Sequence, residues 1–168
     1  MKRSVIYITI ALILLCSICL SVLPRKTTFH GTFHGMRITP EGTVVEECDI
    51  LLMYTKLDYL FREDACTSVE ISLPAGQFDT SYYNTTIPFT VHPTHGYEIV
   101  SFMAYNKETD GFTDLLELSI HPDHTWLFIK LSTSGEEGPI YFIATRDSSL
   151  DPAQILDILF FRTTAHAT

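Results

Sequence analysis

Two segments carry a proline between histidines: His92-Pro93-Thr94-His95 and His121-Pro122-Asp123-His124. A tight turn brings its first and fourth Cα atoms within about 7 Å, so each pair of imidazoles could share a metal ion. Two ligands leave a zinc site incomplete. The plainer reading is that Pro93 and Pro122 preset φ for type I turns and the histidines flank them. A second group lies in a local duplication, Thr-Phe-His-Gly at 28–31 and 32–35. On a strand its His30 and His34 are about 13 Å apart, too far for one ion, and read as exposed strand residues.

Oxygen ligands come closest to a known pattern between Asn106 and Glu117. Asn106, Glu108, Asp110 and Asp114 fall at calcium-loop positions 1, 3, 5 and 9, with Gly111 at 6 and Glu117 at 12. Asn in place of Asp at position 1, Thr113 at the usually apolar position 8, and strand-like flanks count against an EF-hand. A polar hairpin loop explains the same residues.

Four cysteines are present. Cys16 and Cys19 lie in an apolar run, and neither follows the small residue that lipid modification needs. Cys48 and Cys66 suit one disulfide in an oxidising compartment. Asn84-Thr85-Thr86 is a glycosylation sequon. Phe78, Tyr82 and Tyr83 fall in a polar stretch, Pro74–Pro88, where aromatic rings could grip a partner or fold back on the core. No Gly-x-Ser-x-Gly, His-Glu-x-x-His, phosphate-binding glycine loop or dinucleotide fingerprint occurs. No residue set points to a cofactor, and the expectation is a non-catalytic protein.

The elements that would position these groups begin with an N-terminal run, Val5 to Leu23, that contains no charge. Lys2 and Arg3 precede it; Pro24, Arg25 and Lys26 close it. A run of this length matches a hydrocarbon core of about 30 Å. It is longer than a cleaved signal usually needs, and its best cleavage site, Cys19-Leu20-Ser21, is mediocre. The sequence therefore predicts a membrane anchor over residues 1–26, inserted through residues 5–23, ahead of one extracytoplasmic domain over 27–168. Cleavage of the signal would instead release a secreted domain. Positive charges on both flanks leave the orientation weakly biased.

Beyond the anchor the chain alternates like strands. Thr28–Thr39 and Thr43–Tyr54 flank a turn, Thr39-Pro40-Glu41-Gly42, with Pro and Gly where a tight turn wants them. Cys48, Ile50, Leu52 and Tyr54 share one face. Thr55–Asp64 breaks the alternation and predicts a short helix. Thr67–Leu73, Gly96–Tyr105, the strand from Phe112, Trp126–Leu131 and Pro139–Thr145 follow as strands. Asp151, Pro152 and Gln154 open a C-terminal helix. The fold class expected is mainly β: an N-terminal transmembrane helix, then an antiparallel β-sandwich or small meander barrel of about eight strands, with the internal helix and a closing helix.

Eleven basic and twenty acidic residues give a net charge of −9, and four of the basic residues lie in the first 26. Residues 27–168 thus carry seven basic against twenty acidic, or −13. Such a domain repels phosphate backbones, so nucleic acid is not an expected partner. The expected partner is an unidentified protein. A small apolar ligand, carried as in a lipocalin-like barrel, and a calcium- or zinc-dependent module are the alternatives.

Overall fold

The computed structural model describes residues 2–40, 43–61, 63–79, 87–91, 96–132, 138–146 and 155. One helix, α1 (Lys2–Val22), precedes ten strands: β1 (Arg25–Ile38), β2 (Val44–Asp58), β3 (Ala65–Leu73), β4 (Gly76–Asp79), β5 (Ile87–Pro88), β6 (Thr90–Val91), β7 (Glu98–Asn106), β8 (Gly111–Ile120), β9 (Trp126–Ser132) and β10 (Ile140–Thr145).

Every strand pairing is antiparallel. The order runs β2-β1-β10-β9-β8-β7-β4-β3-β5, and β2 pairs with β3 as well. That extra pairing closes eight strands on themselves, which removes the edges an open sheet would expose. β5 and β6 are short additions on β3 and β7. Of the two architectures expected, the meander barrel is the one formed.

Closure follows from alternation. Phe33 of β1, Ile50 and Leu52 of β2, Ile71 of β3, Phe78 of β4, Leu116 and Leu118 of β8, Ile129 of β9 and Phe142 of β10 are fully buried in one cluster. Eight strands leave an interior just wide enough for side chains to fill, and these side chains occupy it. Gly35 lets β1 approach β10: a Cβ there would stand 2.0 Å from the Ile143 carbonyl oxygen. A second apolar cluster, Ile38, Tyr97, Trp126, Phe128 and Ile143, lies on the opposite side of these strands and buries Ile155. Ile155 is helical, and the rest of the expected C-terminal helix lies outside the described residues.

Four expectations need correction. Thr55–Asp64 is not a helix, because β2 continues to Asp58 and pairs on both sides, with Arg25–Thr28 of β1 and with Ala65–Ser68 of β3. Cys48 and Cys66 form no disulfide. The β2–β3 register sets Cys66 opposite Lys56, eight residues or about 26 Å along β2 from Cys48. Bridged cysteines need Cα atoms within about 7 Å. Pro74–Pro88 is not one long loop: Leu73 pairs with Gly76 across a two-residue turn, and β4 follows. Finally, no helix among the described residues is long and apolar enough to cross a membrane.

Candidate functional site

One end of the barrel gathers the start of β1, the β2–β3 loop, β5, the start of β7 and the β8–β9 turn. The turn is built by His121-Pro122-Asp123-His124. The His124 N–H donates to the His121 carbonyl (2.8 Å) and the His121 N–H to the Trp126 carbonyl (3.1 Å). His124 takes φ 56°, a left-handed conformation more accessible to His than to most residues. A type I turn closed by a left-handed residue is a common hairpin connection.

That conformation turns the His124 ring onto the barrel end. It stacks on Phe29, centroids 4.1 Å apart and planes within 7°. Its Nε2 lies 2.5 Å from the Tyr54 hydroxyl. Burial lowers the His124 pKa below the ordinary imidazole value. Burial also raises the Tyr54 phenol, with the Glu98 charge acting in the same direction. At neutral pH the phenol and a neutral imidazole thus share this hydrogen bond, its direction set by the imidazole tautomer. The Arg146 guanidinium covers Phe29 at 5.7 Å from the ring centroid, and Phe89 meets Tyr54 edge-on at 6.0 Å.

Beside this stack sits Lys56, the next inward position on β2 after Tyr54. Its ammonium bonds Glu98, lies 3.0 Å from Asp64 and 3.5 Å from Asp58, and faces the Phe89 ring at 5.4 Å. Burial pulls the Lys56 pKa down, but the bonds to Glu98 and Asp64 outweigh it and hold the group above its ordinary value. One cation thus holds together carboxylates from the end of β2, the β2–β3 loop and the start of β7, a group that stays net negative. Lys56 continues the inward alternation Ile50, Leu52, Tyr54 of β2, but it falls inside the expected helix, and its partners, up to 42 residues away, do not show in the sequence.

The two histidines of the β8–β9 turn point to different partners. While His124 faces Tyr54, His121 lies 3.8 Å from Asp123 through Nδ1 and beside Trp126. His92 and His95 lie outside the described residues. Among the described residues no group of three or more His, Cys, Asp and Glu side chains could hold a metal ion.

The Asn106–Glu117 segment is a hairpin. Asn106 is buried, and its Oδ1 accepts from the Glu108 and Thr109 N–H groups at 2.8 and 3.3 Å. Asp110 accepts from the Tyr105 hydroxyl. Lys107 pairs with Glu70 at 2.6 Å and with Asp79 at 3.4 Å. Glu117 lies on β8 opposite Lys130, six residues or about 20 Å along the strand from Gly111. The Asp114 side chain lies outside the described residues.

Phe78 corrects a further expectation. It is 1 % exposed inside the barrel, so it offers a partner no surface. Tyr82, Tyr83 and the sequon Asn84-Thr85-Thr86 lie outside the described residues. His30 and His34 are exposed on β1, as expected.

His34 also lines an open cleft of about 310 Å³ with Gly35, Glu47, Cys48 and Asp49. Its Nδ1 is 2.6 Å from Asp49. Burial, then the charges of Glu46 and Asp49, push the Cys48 thiol up to about 11. A thiol at that value supplies almost no thiolate at neutral pH.

Of the residues at the barrel end, the sequence singles out Tyr54 as an inward strand residue and His124 as a turn residue. What the sequence does not reveal is that Phe29, Tyr54, Lys56, Phe89, Glu98 and His124 meet. No protein-family model matches this chain, and no curated protein matches it in sequence.

Proposed function

We propose that this protein is a membrane-anchored barrel that acts by binding or scaffolding at the membrane, without catalysis. The observation that carries the proposal is the junction of two segments. An uncharged run from Val5 to Leu23, exposed along α1 from Val5 to Cys19, leads through Pro24 straight into β1 of a filled barrel. A helix apolar on all sides needs an apolar environment, and lipid supplies one.

Purified full-length protein tests this by flotation with vesicles of phosphatidylcholine and phosphatidylglycerol. The wild type is expected in the lipid layer at high salt, and the Ile10→Lys/Leu14→Lys variant in the soluble layer. A wild type that stays soluble overturns the reading.

The lipocalin-like carrier is the second reading, favoured by closure of the eight-stranded ring. The buried phenylalanines and leucines inside the ring occupy the place such a ligand would take, which ranks it below the anchored scaffold.

A further inference from the structure

We propose that the β2–β3 loop, through Leu60 and Phe61, dips into the interfacial layer of the same bilayer and fixes the barrel end-on against it. The inference rests on the anchored reading above. Leu60 and Phe61 are 71 % and 77 % exposed, although a loop of this size has no need of adjacent apolar side chains in water. The residues flanking the loop settle where it stands. Asp58, the last residue of β2, pairs with Arg25, the first of β1, and Leu23 and Pro24 precede Arg25 directly. The loop therefore projects from the end of the barrel that the apolar segment enters.

The charges at this end suit a lipid surface better than the rest of the domain does. Among the described residues, Arg25, Lys26, Lys56 and Arg146 stand against Asp58, Glu63, Asp64, Glu98 and Asp123, close to balance in a domain of −13. Three of those five carboxylates lie around Lys56, which is already counted among the cations. The first β1 residues, Arg25 and Lys26, are exposed and lie where anionic headgroups attract cations. A phenylalanine and a leucine supply the apolar contact, as aromatic residues do at membrane interfaces. The opposite end carries Glu70, Asp79, Glu108 and Asp110 around Lys107, which an anionic surface repels.

The test uses full-length protein in phosphatidylcholine/phosphatidylglycerol vesicles, with tryptophan as the depth probe. The native Trp126 is first replaced (Trp126→Phe), and Phe61→Trp, Leu12→Trp or Thr109→Trp is added singly. Acyl chains brominated near the headgroup quench a tryptophan that reaches them. The Phe61→Trp probe is expected to be blue-shifted and quenched at least twofold, the Leu12→Trp probe quenched, and the Thr109→Trp probe unaffected. Quenching of the Leu12→Trp probe without the Phe61→Trp probe overturns the loop contact and leaves the anchor standing. A blue shift of the Phe61→Trp probe without quenching assigns the loop to a protein surface and also overturns it. Failure of both probes to quench overturns the anchored reading and this inference together.

Discussion

The Tyr54 hydroxyl lies 2.5 Å from His124 Nε2, although the two residues are 70 apart in sequence. Tyr54 is the last aromatic of the inward face of β2, and His124 is turned onto it by a left-handed backbone in the β8–β9 turn. The bond joins strands on different sides of the ring, so it ties the barrel end together. Tyr54→Phe removes the hydroxyl and leaves a half-buried imidazole nitrogen without this partner, at a cost of about 1–2 kcal/mol. Urea denaturation of Tyr54→Phe, His124→Ala and the double variant should give a coupling of about 1 kcal/mol. Strict additivity would contradict the bond.

Because burial lowers the His124 pKa, the unfolded chain binds a proton there more readily than the folded one. The sign follows: the contribution is intact above the unfolded value, about 6.5, and is lost as pH falls below it toward the folded value. The urea midpoint of the wild type should therefore drop between pH 7 and pH 5 by more than that of His124→Gln. Parallel pH profiles would contradict the burial of the neutral ring.

Lys56 predicts the opposite kind of loss. Lys56→Met leaves Asp58, Asp64 and Glu98 facing one another without their cation. The side chain is only 18 % exposed, so the cost should be about 2–3 kcal/mol, below the 3–5 of a wholly buried pair. The deficit should shrink at high salt, which screens the three like charges from one another. An equal deficit at low and at high salt, by urea denaturation, would point to lost packing instead.

The two glycines of the Phe-His-Gly duplication should differ. At Gly35 a Cβ meets the β10 backbone, with the Ile143 oxygen at 2.0 Å and the Ala144 Cα at 2.5 Å. At Gly31 it meets the far end of the Phe29 ring at 2.7 Å, which can swing aside. Gly35→Ala is thus expected to cost more than about 3 kcal/mol or to block folding, and Gly31→Ala to stay within the usual 1–3 of overpacking. Thermal unfolding of both variants checks the order.

The cysteines give a chemical check. Burial pushes the Cys66 thiol up to about 12, against smaller opposing effects of backbone bonds to Ser68 and Thr55. Native protein at pH 8 should alkylate Cys66 only as it unfolds. Denatured, unreduced protein should show Cys48 and Cys66 both free by mass spectrometry. A mass two hydrogen atoms short, mapped to a Cys48–Cys66 peptide pair, would restore the disulfide and contradict the register of β2 on β3.

Much of the barrel was legible because burial on one side of a sheet forces alternation. β3 shows it in Val69, Ile71 and Leu73, and β9, apolar on both faces, sits mid-sheet with its outer face under the second cluster. The misreadings share one cause. Leu57, Leu60 and Phe61 have helical spacing, yet β2 gains more by pairing with both β1 and β3 across Thr55–Asp58, and leaves Leu60 and Phe61 outside. Cys48 and Cys66 are neighbours in sequence, while register separates them. Phe78 looked like a loop residue because β4 is only four residues long. Two members of the site were visible as single residues, His124 as a turn residue and Tyr54 as a core one, whereas Lys56 fell inside the expected helix. Their meeting depends on closure of the ring, which no local pattern encodes.

The measurement that bears most directly on the anchored barrel is the intact mass of the protein recovered from carbonate-washed membranes of expressing cells. The account predicts the full chain, 19.0 kDa, retained in the membrane pellet. A shorter chain in the soluble fraction, cut near Ser21, or the full chain released by the wash, would contradict it.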